Sequence, residues 1–387
     1  MVKTGLDIFL QNTNKYKDRK IALIVNQTSV NQNLQYSWDL LQQAGLQIKT
    51  IFSPEHGLFA TEQEMVAITN QPDFNCNIVS LYKDSYESLI PKDAQLNDID
   101  LVIFDIQDIG ARYYTYVNTM ALFMKAIEDK DIEMLILDRP NPLGGKYIEG
   151  PLLDEDFYSF VGVFPIAIKH GLTPAELALL YKDIEKIDIN LSIIKMEGWN
   201  RTMNFDDTEL PWIPPSPNMP TVKTAVVYPG MCLFEGLNIS EGRGTTTPFE
   251  VFGAPFINPN QLKKQLEDSK LEGVIFRPMY VKPTFNKFSG KVIGGLYIHV
   301  TDVQKFKPFL TAVALTQAIY NLHRDKFKFL KGVYEFNDKH PAFDLLAGSD
   351  VIRKMIFNNE KLSEIEATWK NDEREFLDLK KKYHLYE

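Results

Sequence analysis

The side chains best suited to proton transfer in this 387-residue chain lie where apolar runs give way to short polar segments containing glycine and proline. In Ser53-Pro-Glu-His-Gly57 the Glu55 carboxyl rides on a backbone stiffened by Pro54, with the His56 imidazole next to it. Such a mount suits a general acid, although a helix-capping Glu55 and a turn-forming His56 fit the same residues. Asp105 and Asp108 stand three apart at a second boundary, with Arg112 close behind, and Asp138-Arg139 opens a third. These groups suit acid–base work or ion pairs that only neutralise one another. A later loop, Glu235 to Pro248, adds Glu241 and Arg243, and its Gly242 and Gly244 allow backbone to approach a ligand.

Arginine is scarce, at nine against 33 lysines, yet Arg112, Arg139 and Arg243 all fall in these segments. A planar guanidinium grips a carboxylate with two hydrogen bonds, so arginines in the crevice of a chain with net charge -9 point to an anionic, carboxylate-bearing ligand. The alternative is that each arginine balances a neighbouring Asp or Glu. Tyr113, Tyr114, Tyr116 and Trp212 offer faces on which sugar rings stack, a role that competes with simple core packing.

The elements that must position these groups are legible from periodicity. Strand-length runs rich in β-branched and aromatic residues occur at Lys20–Asn26, Ile48–Phe52, Asn77–Leu81, Asp100–Ile106 and Glu133–Asp138, with amphipathic helical patterns at Tyr36–Ala44 and Tyr114–Lys130. That alternation predicts an α/β fold with a doubly wound, mostly parallel sheet, whose ligands bind beyond the carboxyl ends of the strands. All three polar segments then converge on one crevice. Thr173-Pro-Ala-Glu176 reads as a capped helix start. The segment 211–220, with five prolines and Trp212, reads as an ordered crossing between domains spanning 1–210 and 211–387. The second, smaller α/β domain is expected to hold strands at Ala225–Tyr228, Gly273–Phe276 and Gly295–Val300 and helices at Pro308–His323 and Glu360–Tyr383.

Several classes lose support. A net charge of -9 argues against nucleic acid as a general partner, and no apolar run reaches the roughly 18 residues of a membrane span, so no membrane insertion is expected. Two distant cysteines, Cys76 and Cys232, give no disulfide framework and read as buried thiols. GxGxxG, Walker A, HExxH and GxSxG motifs are missing, so neither a cofactor nor a metal is expected.

The same segments, with Leu137-Asp-Arg-Pro-Asn-Pro-Leu-Gly-Gly145, Pro214-Pro-Ser-Pro-Asn-Met-Pro220 and Tyr228 to Phe249, resemble the NamZ-type exo-β-N-acetylmuramidases over nearly the whole chain. The resemblance implies a Rossmann-like N-terminal domain, a smaller C-terminal domain closing the cleft, and release of N-acetylmuramic acid from the non-reducing ends of peptidoglycan fragments. It implies Glu55 as the catalytic residue. His56, Arg112, Tyr116, Arg139, Asn141, Ser216, Asn218, Glu241 and Arg243 are the expected substrate-binding residues, the partner being a muramyl saccharide whose lactyl carboxylate the arginines would read. A second catalytic carboxylate is sought in Asp105 or Asp108, then Glu241, unless the substrate's own acetamido oxygen attacks. Many relatives begin with an export signal, which the opening residues do not resemble; the cell envelope is expected if such a signal was removed, and otherwise the cytoplasm. Rival readings are a muropeptide-binding protein without activity and a serine esterase or amidase using Ser216 or Ser240.

Overall fold

The computed structural model describes residues 1–63, 66 and 76–387. Among these, six parallel strands form one sheet: β1 (Lys20–Val25), β2 (Gln47–Ser53), β3 (Asn77–Ser80), β4 (Leu101–Asp105), β5 (Glu133–Leu137) and β6 (Asn190–Ile194). Their order, β3-β2-β1-β4-β5-β6, reverses at the β1/β4 seam, the doubly wound arrangement expected. Alternate residues feed opposite faces: Leu23, Ile51, Ile103 and Leu135 join one core cluster, while Ala22, Phe52, Val102 and Met134 join another. Strands covered on both faces need apolar residues at every position, which is why they read as continuous hydrophobic runs.

The flanking helices are α1 (Gly5–Phe9), α2 (Ser37–Gln43), α3 (Asp93–Leu96), α4 (Thr115–Ala126) and α5 (Pro174–Ile184). α5 starts as expected, with the Thr173 hydroxyl accepting from the Glu176 N–H and the Thr173 N–H donating to the Glu176 carboxylate. The proline-rich crossing is docked: Trp212 packs edge-on against Phe205, its indole N–H donates to the Met219 carbonyl, and Met219 is buried.

The C-terminal lobe holds α6 (Val222–Met231), then a three-stranded antiparallel sheet, β7 (Val251–Ala254), β8 (Val274–Val281) and β9 (Ile293–Val300), ordered β7-β9-β8. Helices α7 (Pro259–Gln265) and α8 (Pro308–Leu322) accompany it. Two expectations are corrected here. Residues 225–228 are not a strand but the middle of α6, which is capped by Thr221 and buried along most of its length; an apolar run that short has no periodicity to separate strand from buried helix. Nor is 360–383 one helix: it divides into two helices, Leu362–Ala367 and Lys370–Lys380, around a fully buried Trp369 that packs on Phe309. Cys232 is buried as expected, whereas Cys76 is only half-buried. One hydrophobic cluster runs from Ala22 in β1 through α6 and α8 to Phe376, so the two lobes share a core. Among the described residues no helix is long and apolar enough to cross a membrane.

Candidate active site

The chain leaves β2 at Ser53 and turns at once through His56 (φ 68°) and Gly57 (φ 86°). A left-handed histidine costs on the order of 1–3 kcal/mol. It is held by the His56 Nδ1–H donating to the Glu62 carbonyl at 2.9 Å. This turn points Glu55, only 6% exposed, at the start of α4, where the Thr115 hydroxyl donates to Glu55 Oε2 at 2.6 Å. The carboxyl therefore lies at the positive end of that helix.

Aromatic rings wall the hollow around it. Tyr114 meets Tyr116 and Tyr228 edge-to-face at 5.0 and 5.6 Å, and Tyr228 meets Phe249 at 4.8 Å. The Tyr116 hydroxyl donates to the Pro215 carbonyl, which fixes the proline-rich crossing over the site. Arg243 lies 4.9 Å from the Phe249 ring centre and donates through one nitrogen to Glu235 at 2.8 Å and Glu241 at 3.4 Å. Burial pushes the Glu241 carboxyl up, but Lys287 and Arg243 outweigh it and hold that carboxyl below its usual range. Gly242 and Gly244 adopt φ 87° and 79°, and a Cβ there would sit 2.3 Å from the Val251 carbonyl oxygen and 2.6 Å from that of Phe285. The close approach that these glycines permit is to the protein's own backbone.

Glu55, His56, Tyr116, Ser216, Asn218 and Arg243 share this one hollow. Glu241 sits behind Arg243, on an adjoining pocket. The other candidates lie outside this hollow. Asp105 and Arg139 form a buried ion pair, Nε to Oδ1 at 2.6 Å, away from the hollow. Asp108 accepts from the Gly110 N–H at 2.7 Å and faces His170 at 3.4 Å. Arg112 is fully buried and donates to the carbonyls of Pro151, Ile166 and Leu346; burial pushes it down to about 10. Asn141 spans the Leu172 carbonyl and the Leu143 N–H. These groups are spent on partners that folding brings from other segments, and only two of the three polar segments reach the site. The C-terminal lobe supplies what sequence reasoning missed: Glu235, whose carboxylate accepts from the Tyr334 hydroxyl at 2.5 Å, and Glu335, which accepts from Tyr82 at 2.8 Å. No motif marks Glu335 in the sequence.

A parallel-sheet domain of 3-2-1-4-5-6 order, with a carboxyl, an arginine and tyrosines facing a second lobe, defines a two-domain α/β protein equipped for acid–base chemistry on a polar ligand. Comparison with known proteins narrows the class. Residues 21–223 match the N-terminal domain, and 226–386 the C-terminal domain, of exo-beta-N-acetylmuramidase NamZ. The peptidoglycan beta-N-acetylmuramidase NamZ of Bacillus subtilis (strain 168) is 40% identical over 389 residues, covering 100% of this chain and 91% of that protein. Two crystal structures of DUF1343 family proteins from Bacteroides fragilis superpose with TM-scores of 0.90 and 0.79 at 32% and 30% identity, each covering 100% of this chain and 99% of the other. The chain belongs to the NamZ exo-β-N-acetylmuramidase family.

Proposed function

We propose that this protein is a glycoside hydrolase that releases N-acetylmuramic acid from the non-reducing ends of peptidoglycan fragments. The observation that carries the reading is that Glu55, from the N-terminal lobe, and Arg243, from the C-terminal lobe, line one hollow walled by tyrosines. Glu55 supplies a carboxyl for proton transfer at the glycosidic bond, Arg243 faces the lactyl carboxylate, and the rings of Tyr114 and Tyr228 lie against the sugar. An esterase reading lacks its activated nucleophile, since among the described residues neither Ser216 nor Ser240 hydrogen-bonds a histidine. The test is release of p-nitrophenol from its β-N-acetylmuramide. Wild type releases it, and E55Q loses roughly 10²-fold or more; an inert wild type, or an E55Q variant of full activity, refutes the assignment.

A further inference from the structure

We infer that Glu335 is the proton donor to the glycosidic oxygen and that Glu55, in the same hollow, is the carboxylate that takes the proton of water. This inference rests on the glycosidase reading above and divides its labour between two residues.

Glu335 lines the hollow from the C-terminal lobe and Glu55 lines it from the N-terminal lobe. Among the described residues Glu335 is also the one shared with a second groove, walled by Tyr158, Phe160, Tyr181 and Phe336. With a muramyl ring in the hollow and the next sugar against those aromatic faces, the oxygen joining them passes Glu335.

Glu335 and Phe336, at φ 44° and 65°, occupy both central positions of a two-residue hairpin turn, closed by Tyr334 N–H to Asn337 O at 2.8 Å and the reverse bond at 2.9 Å. Positive φ at both positions is ordinarily left to Asn and Gly. Two large side chains here are a strained choice, of the kind concentrated at functional sites. Phe336 packs against Tyr82 at 5.4 Å, and the Tyr82 hydroxyl in turn holds Glu335.

Electrostatics agree with the geometry. Burial, and then the neighbouring Glu55 charge, push Glu335 well above the usual carboxyl range; Glu235 adds to this, and the Tyr82 hydroxyl and Arg243 oppose it. Tyr334, the adjacent hydroxyl, is committed to Glu235. These surroundings favour the protonated form of Glu335. In the reaction that proton passes to the glycosidic oxygen as the C1–O bond breaks, and the bonding pair leaves with the departing sugar alcohol. Water adds its hydroxyl to C1 and gives its other proton to Glu55, and exchange with solvent restores both groups.

The experiment compares a MurNAc–GlcNAc disaccharide with 2,4-dinitrophenyl β-N-acetylmuramide, whose leaving group needs no proton. E335Q is expected to lose about 10²-fold or more on the disaccharide, to lose far less on the aryl glycoside, and to lack the alkaline limb of the wild-type pH profile; E55Q loses both substrates. Equal losses on the two substrates, or an unaffected disaccharide rate, overturn the inference. A wild type inert on both instead sinks the glycosidase reading itself. If E335Q does not fold, Y82F decides: it keeps Glu335 but removes a hydroxyl that favours its charged form, so the alkaline limb moves to higher pH, and an unmoved limb overturns the inference.

Discussion

Arg243 holds two glutamates with one nitrogen while facing the hollow, so its charge and its shape can be separated by substitution. Lysine keeps the charge beside Glu235 and Glu241 but loses the fork that grips a carboxylate. R243K is expected to raise KM for a muramide about tenfold, the equivalent of ~1.4 kcal/mol, while leaving kinetics on the matching N-acetylglucosaminide, which has no lactyl acid, nearly unchanged. Equal losses on both substrates would show that the arginine only supports the fold. Arg112 makes the contrast at this scale: the same residue type, in a segment just as polar, is spent on three backbone carbonyls. Residue type gave no way to tell these arginines apart, because the distinction lies in which groups lie within reach after folding. Glu55 was legible because Pro54 and Gly57 frame it, whereas Glu335 lies in Tyr334-Glu-Phe-Asn337, where nothing local signals a turn of left-handed residues.

The joint between β5 and α5 shows how an element is set in place. Asp138, at the carboxyl end of β5, accepts from the Thr173 hydroxyl and the Ala175 N–H at the start of α5, and from the Tyr386 hydroxyl. Burial pushes its carboxyl from an ordinary 3.8 to about 7, against the pull of Tyr386 and the Ala175 N–H. Between those values the folded chain holds a proton that the unfolded chain has lost, so this stabilisation is complete below about 3.8 and fades as pH rises toward 7. D138N does not titrate. The stability of wild type relative to D138N, followed by thermal melting, is therefore expected to be more favourable at pH 5 than at pH 7.5, and a difference that stays constant contradicts the assignment. Element periodicity carried most of the first lobe, since strands buried on both faces and a capped α5 leave clear patterns. It failed at α6, whose all-round burial erases the helical stripe.

At the scale of the molecule, family boundaries divide the chain near residue 225, but the hydrophobic cluster does not. β1, α6 and α8 contribute to one continuous core, so the lobes should melt together. Calorimetry is expected to give one cooperative transition, and residues 1–223 alone are expected not to fold stably; two separated transitions would show independent domains. The hairpin that carries Glu335 has a last consequence for the protein as a whole. Asparagine there would accept the left-handed backbone more easily and would remove a sealed carboxyl, so E335N should raise Tm while lowering turnover. Heat tolerance and catalysis are set against each other at this position, and screening variants for thermostability alone would select inactive enzyme.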